Sequence, residues 1–133
     1  MRIVKLTPTV AVSGQITPDE VAEIAAAGYR VLVNNRPDGE EPGQPASDDI
    51  AAAARASGLE YHYLPVNGFN FPGPGMAQMT SLLDDPARPV LAFCRTGTRC
   101  TNLWVASRGE SERPRAAAHA RELGFDLSMA CRP

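Results

Sequence analysis

Residues 94–99, Cys-Arg-Thr-Gly-Thr-Arg, combine a nucleophile, a glycine and two cationic side chains in six positions. The apolar run Val90–Phe93 precedes them, and Cys100–Ser107 has the pattern of a starting helix. Strand, loop and helix in this order build an anion cradle, because loop N–H groups and the positive end of the helix dipole converge. The same field should lower the Cys94 pKa from about 8.5 toward roughly 4–7. We therefore predict a thiolate at Cys94, with Arg99 binding the anion through two donors.

Cys94 has a second interpretation, a buried structural thiol, since free cysteine is among the most buried residue types. The glycine within the loop, the arginine five positions later and the helix start favour the reactive interpretation. The predicted anion-binding set comprises the loop and the residues that open two other loops: Arg95, Thr96, Gly97, Thr98, Arg99, Cys100, Arg36 and Asn67. For Arg95, a solvated charge is an equally good interpretation.

Strand and helix patterns alternate along the rest of the chain. Strands are predicted at 9–13, 29–34, 60–66 and 90–93. Helices are predicted from Pro18 to the C′ stop at Gly28 (with Thr17 as N-cap) and at 48–56 (with Ser47 as N-cap), 76–83, 100–107 and 114–123. This order predicts an α/β fold with a mostly parallel central sheet flanked by helices. The segments 36–46, 67–75 and 94–99 each follow a strand, so we expect them to converge at one sheet edge, where open α/β sheets bind ligands. A solvated surface loop explains 36–46 equally well.

The composition narrows the functional classes. The 133 residues carry a net charge of −2 with 21% charged residues, which predicts one domain, 1–133, without a basic surface for nucleic acid. The sequence contains no apolar run of about 18 residues, the length that a membrane span requires, and no recognisable secretion signal. We therefore expect a cytoplasmic location. Three cysteines, an odd number, fit a reducing compartment. Neither histidine has metal-ligand spacing, so we predict no metal and no other cofactor.

Four segments carry a resemblance to a known family: SGQITPDEVAEIAAAGYRVLVNNRPDGEE, GLEYHYLPV, CRTGTR and GFDL. Together they resemble the phosphatase-like domain family of beta-lactamase-hydrolase-like proteins, and the resemblance covers nearly the whole chain. It implies the fold of tyrosine and dual-specificity phosphatases. Members of the family are also fused to metallo-hydrolase domains of the persulfide-oxidising kind, which implies a link to sulfur chemistry.

The loop departs from the phosphatase pattern. Four residues separate Cys94 from Arg99, the spacing of rhodanese-like sulfurtransferases, whereas phosphatase loops usually have five. The shorter loop makes a tighter ring, which suits a persulfide better than a phosphate ester. Phe93 stands where phosphatases tend to have histidine, and Cys100 stands where they have serine or threonine.

The general acid is the second departure. Dual-specificity phosphatases carry an aspartate after a strand resembling HYLPV, and the matching residue is Asn67. An amide cannot protonate an alkoxide leaving group, which removes roughly 10²–10⁴ of rate. Asp38 and Glu40, in the Arg-Pro-Asp-Gly-Glu segment, are the remaining candidates, and we predict Asp38 as the acid.

Three functions follow from these residues. The first is a cysteine-nucleophile phosphatase-like hydrolase that uses Cys94, Arg99 and Asp38 on a small anionic or phosphate ester substrate. The second is a rhodanese-like sulfurtransferase, in which Cys94 carries a persulfide to a thiol acceptor. The third is a non-catalytic anion or redox sensor. We also predict that Cys100 lies close enough to Cys94 to trap a sulfenic acid as a disulfide, although simple packing explains Cys100 equally well.

Overall fold

The computed structural model describes residues 1–131, which form a five-stranded sheet with helices on both faces. The strands are β1 Ile3–Thr7, β2 Val10–Ser13, β3 Val31–Asn34, β4 Glu60–Tyr63 and β5 Val90–Phe93. The helices are α1 Val21–Ala26, α2 Ser47–Ala56, α3 Met76–Leu83, α4 Thr98–Ser107 and α5 Arg113–Glu122, with a 3-10 turn at Pro18–Glu20 before α1. None of the helices in the described part of the chain is long and apolar enough to cross a membrane.

The strand order β1-β2-β5-β3-β4 places β5 at the centre of the sheet. β1 is antiparallel to β2, and every other neighbouring pair is parallel, which confirms the predicted α/β fold with a mostly parallel sheet. Phe93 at the end of β5 lies opposite Ser13 of β2 and Asn34 of β3. The residues that follow these three strands therefore emerge side by side at one edge of the sheet.

Several predicted boundaries were wrong. The sequence pattern placed no strand before residue 9, but β1 occupies Ile3–Thr7 as an edge strand in which only Leu6 is buried, so its alternation is weak. α4 begins at Thr98, two residues earlier than predicted, and β4 ends at Tyr63 rather than Val66. Ser47 lies inside α2 instead of capping it, and its hydroxyl shares a 2.7 Å hydrogen bond with the phenol of Tyr61.

The core has two parts, one on each face of the sheet. Leu91 and Phe93 of β5 face the α1 and α2 side with Ile24 and Ile50, whereas Ala92 faces the α3, α4 and α5 side. Burying an isoleucine or leucine side chain contributes about 1.5–3 kcal/mol relative to leaving it in water, so both faces hold β5 in place. Cys94 and Cys100 belong to the α3, α4 and α5 side, which sets both thiols against an apolar surface.

Candidate active site

The loop between β5 and α4 is held in place by one glycine. Gly97 has φ = 89°, a left-handed conformation that L side chains rarely adopt, and a Cβ there would lie 3.4 Å from the carbonyl carbon and oxygen of Ser13. α4 starts at the next residue, Thr98. The glycine thus turns the chain so that the N-terminus of α4 points back to the end of β5, as the sequence predicts.

Cys94 is the first residue after β5 and is only 1% exposed. Its sulfur accepts a hydrogen bond from the Gly97 N–H at 3.1 Å. The pKa of Cys94 is lowered to about 6. The thiol of Cys100 is the main cause, burial opposes it, and backbone N–H groups of Cys100, Thr96 and Arg99 add to it. At pH 7 the sulfur is therefore mainly thiolate, and it lies where the loop N–H groups converge.

Cys100 is equally buried, but its pKa shifts the other way. Burial raises the Cys100 pKa well above its usual value, and the neighbouring Cys94 thiolate adds to the effect. The Cys100 thiol therefore stays protonated, and its S–H group donates a hydrogen bond to the sulfur of Cys94. The pKa shifts of the two cysteines imply a hydrogen bond between their side chains, and neither cysteine is in a disulfide.

Arg99 presents its planar fork to a carboxylate from another loop. Its Nη1 and Nη2 donate to Oε2 and Oε1 of Glu40 at 2.9 and 3.1 Å, and Nη1 also donates to the carbonyl of Val66 at 2.8 Å. Both terminal nitrogens of Arg99 are thus bonded to Glu40, which holds the guanidinium in one orientation, and the predicted binding of a substrate anion by Arg99 stays a prediction. A bidentate pair of this kind combines strength with directional precision.

Arg36 lies behind this pair as a fully buried cation, 1% exposed. Its Nε donates to Glu40 Oε1 at 2.9 Å, and its Nη1 donates to the side-chain oxygen of Gln15 at 3.1 Å. Burial opposes ionisation of Glu40, but hydrogen bonds from Arg99 and Arg36 outweigh it and lower the Glu40 pKa. A carboxylate held ionised in this way is poorly suited to be the general acid for which the sequence made Glu40 a candidate.

Asp38 is exposed and reaches the start of α2 rather than the loop at 94–99. Its Oδ1 accepts the Ser47 N–H at 2.8 Å, and its own N–H donates to the phenol oxygen of Tyr63 at 2.9 Å. Asp38 therefore binds an N–H of the first turn of α2, the role that the sequence pattern assigned to Ser47. The other carboxylate oxygen of Asp38, Oδ2, is the one that would carry the proton of a general acid.

Asn67 shapes its own loop. Its side-chain oxygen accepts the N–H groups of Phe69 and Asn70 at 2.8 and 3.0 Å, and its N–H donates to the Asn70 side chain at 2.8 Å. Only the amide nitrogen of its side chain remains for the predicted anion-binding role. The segment nevertheless reaches the site, because the preceding Val66 carbonyl accepts from Arg99.

Two threonines and an arginine form the outer side of the loop. The Thr96 hydroxyl donates to the Thr98 hydroxyl at 3.0 Å, and Arg95, 65% exposed, lies 3.7 Å from a carboxylate oxygen of Glu41. The Gln15 N–H donates to the Arg95 carbonyl at 3.2 Å. A cavity of about 370 Å³ adjoins this side and is lined by residues including Ser13, Gly14, Gln15, Thr96, Thr98 and Phe125.

Two residues of the site were missed by the sequence analysis as functional residues, Gln15 and Glu41. Gln15 follows the end of β2, so the carboxyl-edge argument that selected Arg36 and Asn67 would also have selected it. Glu41 had no comparable signal, because nothing local distinguishes it from a solvated charge. Both histidines lie elsewhere: His62 pairs with Glu60 at 2.6 Å, and His119 is half-buried and bonds to the carbonyl of Leu6 at 3.0 Å.

No three histidine, cysteine or carboxylate side chains come together as a metal site within residues 1–131. What the described arrangement offers is a thiolate among N–H groups at a helix N-terminus, beside a bidentate arginine. These are the elements that bind a tetrahedral oxyanion and attack its central atom.

The chain is similar to members of one family. The family model described as "Beta-lactamase hydrolase-like protein, phosphatase-like domain" matches residues 2–111. The beta-lactamase hydrolase-like protein of Xylella fastidiosa strain 9a5c is 38% identical over 133 residues, and that of Agrobacterium fabrum strain C58 is 32% identical over 135. These matches cover 98% and 99% of this chain but only 31% of each relative, so the chain spans less than a third of their length.

Solved structures share the fold. A candidate phosphatase from Neisseria meningitidis is 32% identical with a TM-score of 0.73, covering 91% of this chain and 89% of that one. TpbA of P. aeruginosa, solved in complex with pTyr, is 19% identical with a TM-score of 0.63, covering 98% and 78%. The second likeness shows the fold alone, and it is the phosphatase fold that the resemblance implied.

Proposed function

Since the chain belongs to the phosphatase-like domain family of beta-lactamase hydrolase-like proteins, we propose that it is a cysteine-dependent phosphatase acting on a small phosphate ester. The observation that carries the proposal is the Cys94 sulfur, with a pKa of about 6, bonded to the Gly97 N–H beside the N-terminus of α4. A thiolate in this position has both the charge state and the surroundings needed for attack on phosphorus.

The reaction has two steps. The Cys94 thiolate attacks phosphorus, so an S–P bond forms while the P–O ester bond breaks and the leaving oxygen takes a proton from Asp38. Water then attacks the phosphocysteine and gives a proton to the Asp38 carboxylate, the S–P bond breaks, and inorganic phosphate leaves as the Cys94 thiolate and protonated Asp38 are restored. The N–H groups of residues 95–99 and the Arg99 guanidinium bind the three equatorial oxygens, on which the transition-state charge is spread.

Replacing the nucleophile tests this proposal. In Cys94→Ser, hydrolysis of p-nitrophenyl phosphate should fall by at least roughly 10³-fold, because a serine hydroxyl is hardly ionised at neutral pH. Cys131→Ser removes an exposed thiol instead and should retain wild-type turnover. Unchanged turnover in Cys94→Ser would overturn the proposal.

A second candidate function, sulfur transfer, is favoured by the carboxylates of the site. Two arginines hold Glu40 ionised, and Asn67 stands where dual-specificity phosphatases carry their aspartate general acid. Phosphate ester hydrolysis needs such a proton donor for its leaving group, whereas sulfur transfer does not. The Cys94 thiolate would attack the sulfane sulfur of thiosulfate, form a persulfide and release sulfite. The persulfide sulfur would then pass to a thiol or to cyanide.

Mass spectrometry after exposure to thiosulfate, run beside the aryl phosphate assay, separates the two functions. A gain of one sulfur atom on the Cys94 peptide with no phosphate release would establish the transferase and reject the phosphatase. If neither a persulfide nor free phosphate is formed, the result would favour the non-catalytic sensor, in which the anion-binding loop is present but catalysis is lost.

A further inference from the structure

The carboxylate of Glu41 lies between two cations at the rim of the Cys94 loop. Its Oε1 is 3.0 Å from Nη2 of Arg36, and its Oε2 is 3.7 Å from Nη2 of Arg95. Arg95 directly follows Cys94 in the chain. An anionic group of this chain thus bridges two arginines next to the nucleophile.

Arg36 keeps an unused donor on this side. Its Nε and Nη1 make well-formed hydrogen bonds to Glu40 and Gln15. Its Nη2 is close to Glu41, but the geometry is too poor for a hydrogen bond, so this buried atom has no hydrogen-bond partner in the described structure. Buried donors of charged groups are rarely left without a well-aligned acceptor, and this nitrogen is held by the Glu41 ion pair alone, which leaves room for a better-placed acceptor.

Glu41 differs from its neighbour Glu40 in how firmly it is held. Glu40 is 26% exposed and accepts three hydrogen bonds from the side chains of Arg36 and Arg99. Glu41 is 45% exposed, and its described side-chain contacts are the two ion pairs. The exposed pair with Arg95, at 3.7 Å, contributes little, so an oxyanion that displaces Glu41 has to replace mainly its contact with Arg36, against three hydrogen bonds at Glu40.

We propose that Arg36 and Arg95 form a second anion subsite, which the Glu41 carboxylate occupies until the second anionic group of a doubly anionic substrate displaces it. This inference rests on the proposed function, because it assumes that the phosphoryl group binds at Cys94. The substrate class is a small molecule that carries a phosphate or carboxylate beside the phosphoryl group to be transferred. Displacing Glu41 would leave Arg36 and Arg99 sharing Glu40, and Arg95 without its ion-pair partner, a charge excess that suits such a ligand.

Binding to the inactive Cys94→Ser protein tests the subsite independently of catalysis. The probes are methylenediphosphonate and inorganic phosphate, titrated by calorimetry at one ionic strength. We expect the diphosphonate to bind about tenfold or more tightly than phosphate, since it gains charge-assisted bonds to a second pair of guanidinium groups. In Glu41→Gln the ratio of the two affinities should rise, because the competing carboxylate is gone, and in Arg95→Gln it should fall toward one.

Two matched variants control for net charge. Arg115→Gln on α5 and Glu110→Gln between α4 and α5 make the same charge changes at exposed positions outside the site, and they should leave the affinity ratio unchanged. Equal ratios in Arg95→Gln and Arg115→Gln would overturn the subsite. A wild-type protein that hydrolyses no phosphate ester, with the diphosphonate preference intact, would overturn the proposed function and leave the subsite standing.

Discussion

The loop at residues 94–99 and the segment at residues 36–41 meet at the ion pair between Arg99 and Glu40, but they are built differently. The loop acts mainly through its backbone: N–H groups aim at the sulfur of Cys94, and Gly97 holds the turn. The segment acts through charged side chains, among them the fully buried guanidinium of Arg36. In the proposed phosphatase, this difference would separate two tasks: the loop would activate the Cys94 sulfur, and the segment would orient Arg99.

The two constructions have different physical consequences. Backbone donors in a strand–loop–helix unit are fixed by the fold and lose no side-chain rotamers when an anion binds. Charged side chains must be ordered by one another, which costs rotamer entropy unless several are linked. The link from Gln15 through Arg36 and Glu40 to Arg99 supplies this order.

The largest effect should come from the arginine that joins the two regions. Arg99→Lys replaces a planar fork by a point charge, so kcat/KM for p-nitrophenyl phosphate should fall by about 10²–10³-fold. Glu40→Gln, which keeps Arg99 but weakens its support, should lose less. A greater loss in Glu40→Gln than in Arg99→Lys would show that the segment, and not the loop, dominates catalysis.

Asp38→Asn tests the segment for a proton donor. The amide oxygen can still accept the Ser47 N–H, so the start of α2 should stay intact. If Asp38 is the acid, turnover should fall about tenfold or less on p-nitrophenyl phosphate, whose leaving group is already stable, and further on phenyl phosphate. Transfer of sulfur from thiosulfate to cyanide should remain near wild type. Equal losses in aryl phosphate hydrolysis and in sulfur transfer would reject the general-acid role.

Cys100→Ala removes the side chain that donates a hydrogen bond to the Cys94 sulfur. Removing the thiol hydrogen bond, the main cause of the lowered Cys94 pKa, should move that pKa upward from about 6. The thiolate fraction at neutral pH then falls, and activity on the acid side falls with it. The pH dependence of Cys94 alkylation by iodoacetamide, in a Cys131→Ser background, measures the shift. Cys100→Ser retains a donor and is the control; the same midpoint in Cys100→Ala and wild type would contradict the assignment.

Mild oxidation by peroxide should abolish turnover in a form that a dithiol can restore. Peroxide oxidises the Cys94 thiolate to a sulfenic acid, and attack by the Cys100 sulfur then forms a disulfide and releases water. The bond also requires Cα atoms roughly 4.4–6.8 Å apart. Peptide mapping and recovery of activity with a dithiol would detect it. Sulfinic or sulfonic acid at Cys94, beside a reduced Cys100, would rule out this protection.

Local sequence determined the parts of the protein whose cause is local. The run from Val90 to Ser107 predicted a strand, a turn and a helix around Cys94, because a glycine between an apolar run and a helical pattern has few other solutions. α3 was predicted to the residue, and alternation of strands and helices predicted the mostly parallel sheet, at one edge of which the segments after β2, β3 and β5 emerge side by side. These conclusions needed spacing and residue type only.

Tertiary structure alone decided which charges meet. Arg99 and Glu40 are 59 positions apart, and Arg36 and Gln15 are 21 apart, so no local pattern connects them. The same is true of Asp38 at the start of α2 and of Glu41 between two arginines. Long charged side chains can reach many partners, and their choice depends on how β2, β3 and β5 are placed side by side. The position of Cys94 in a strand–loop–helix unit can therefore be predicted from sequence, whereas the carboxylates that pair with the arginines around it cannot.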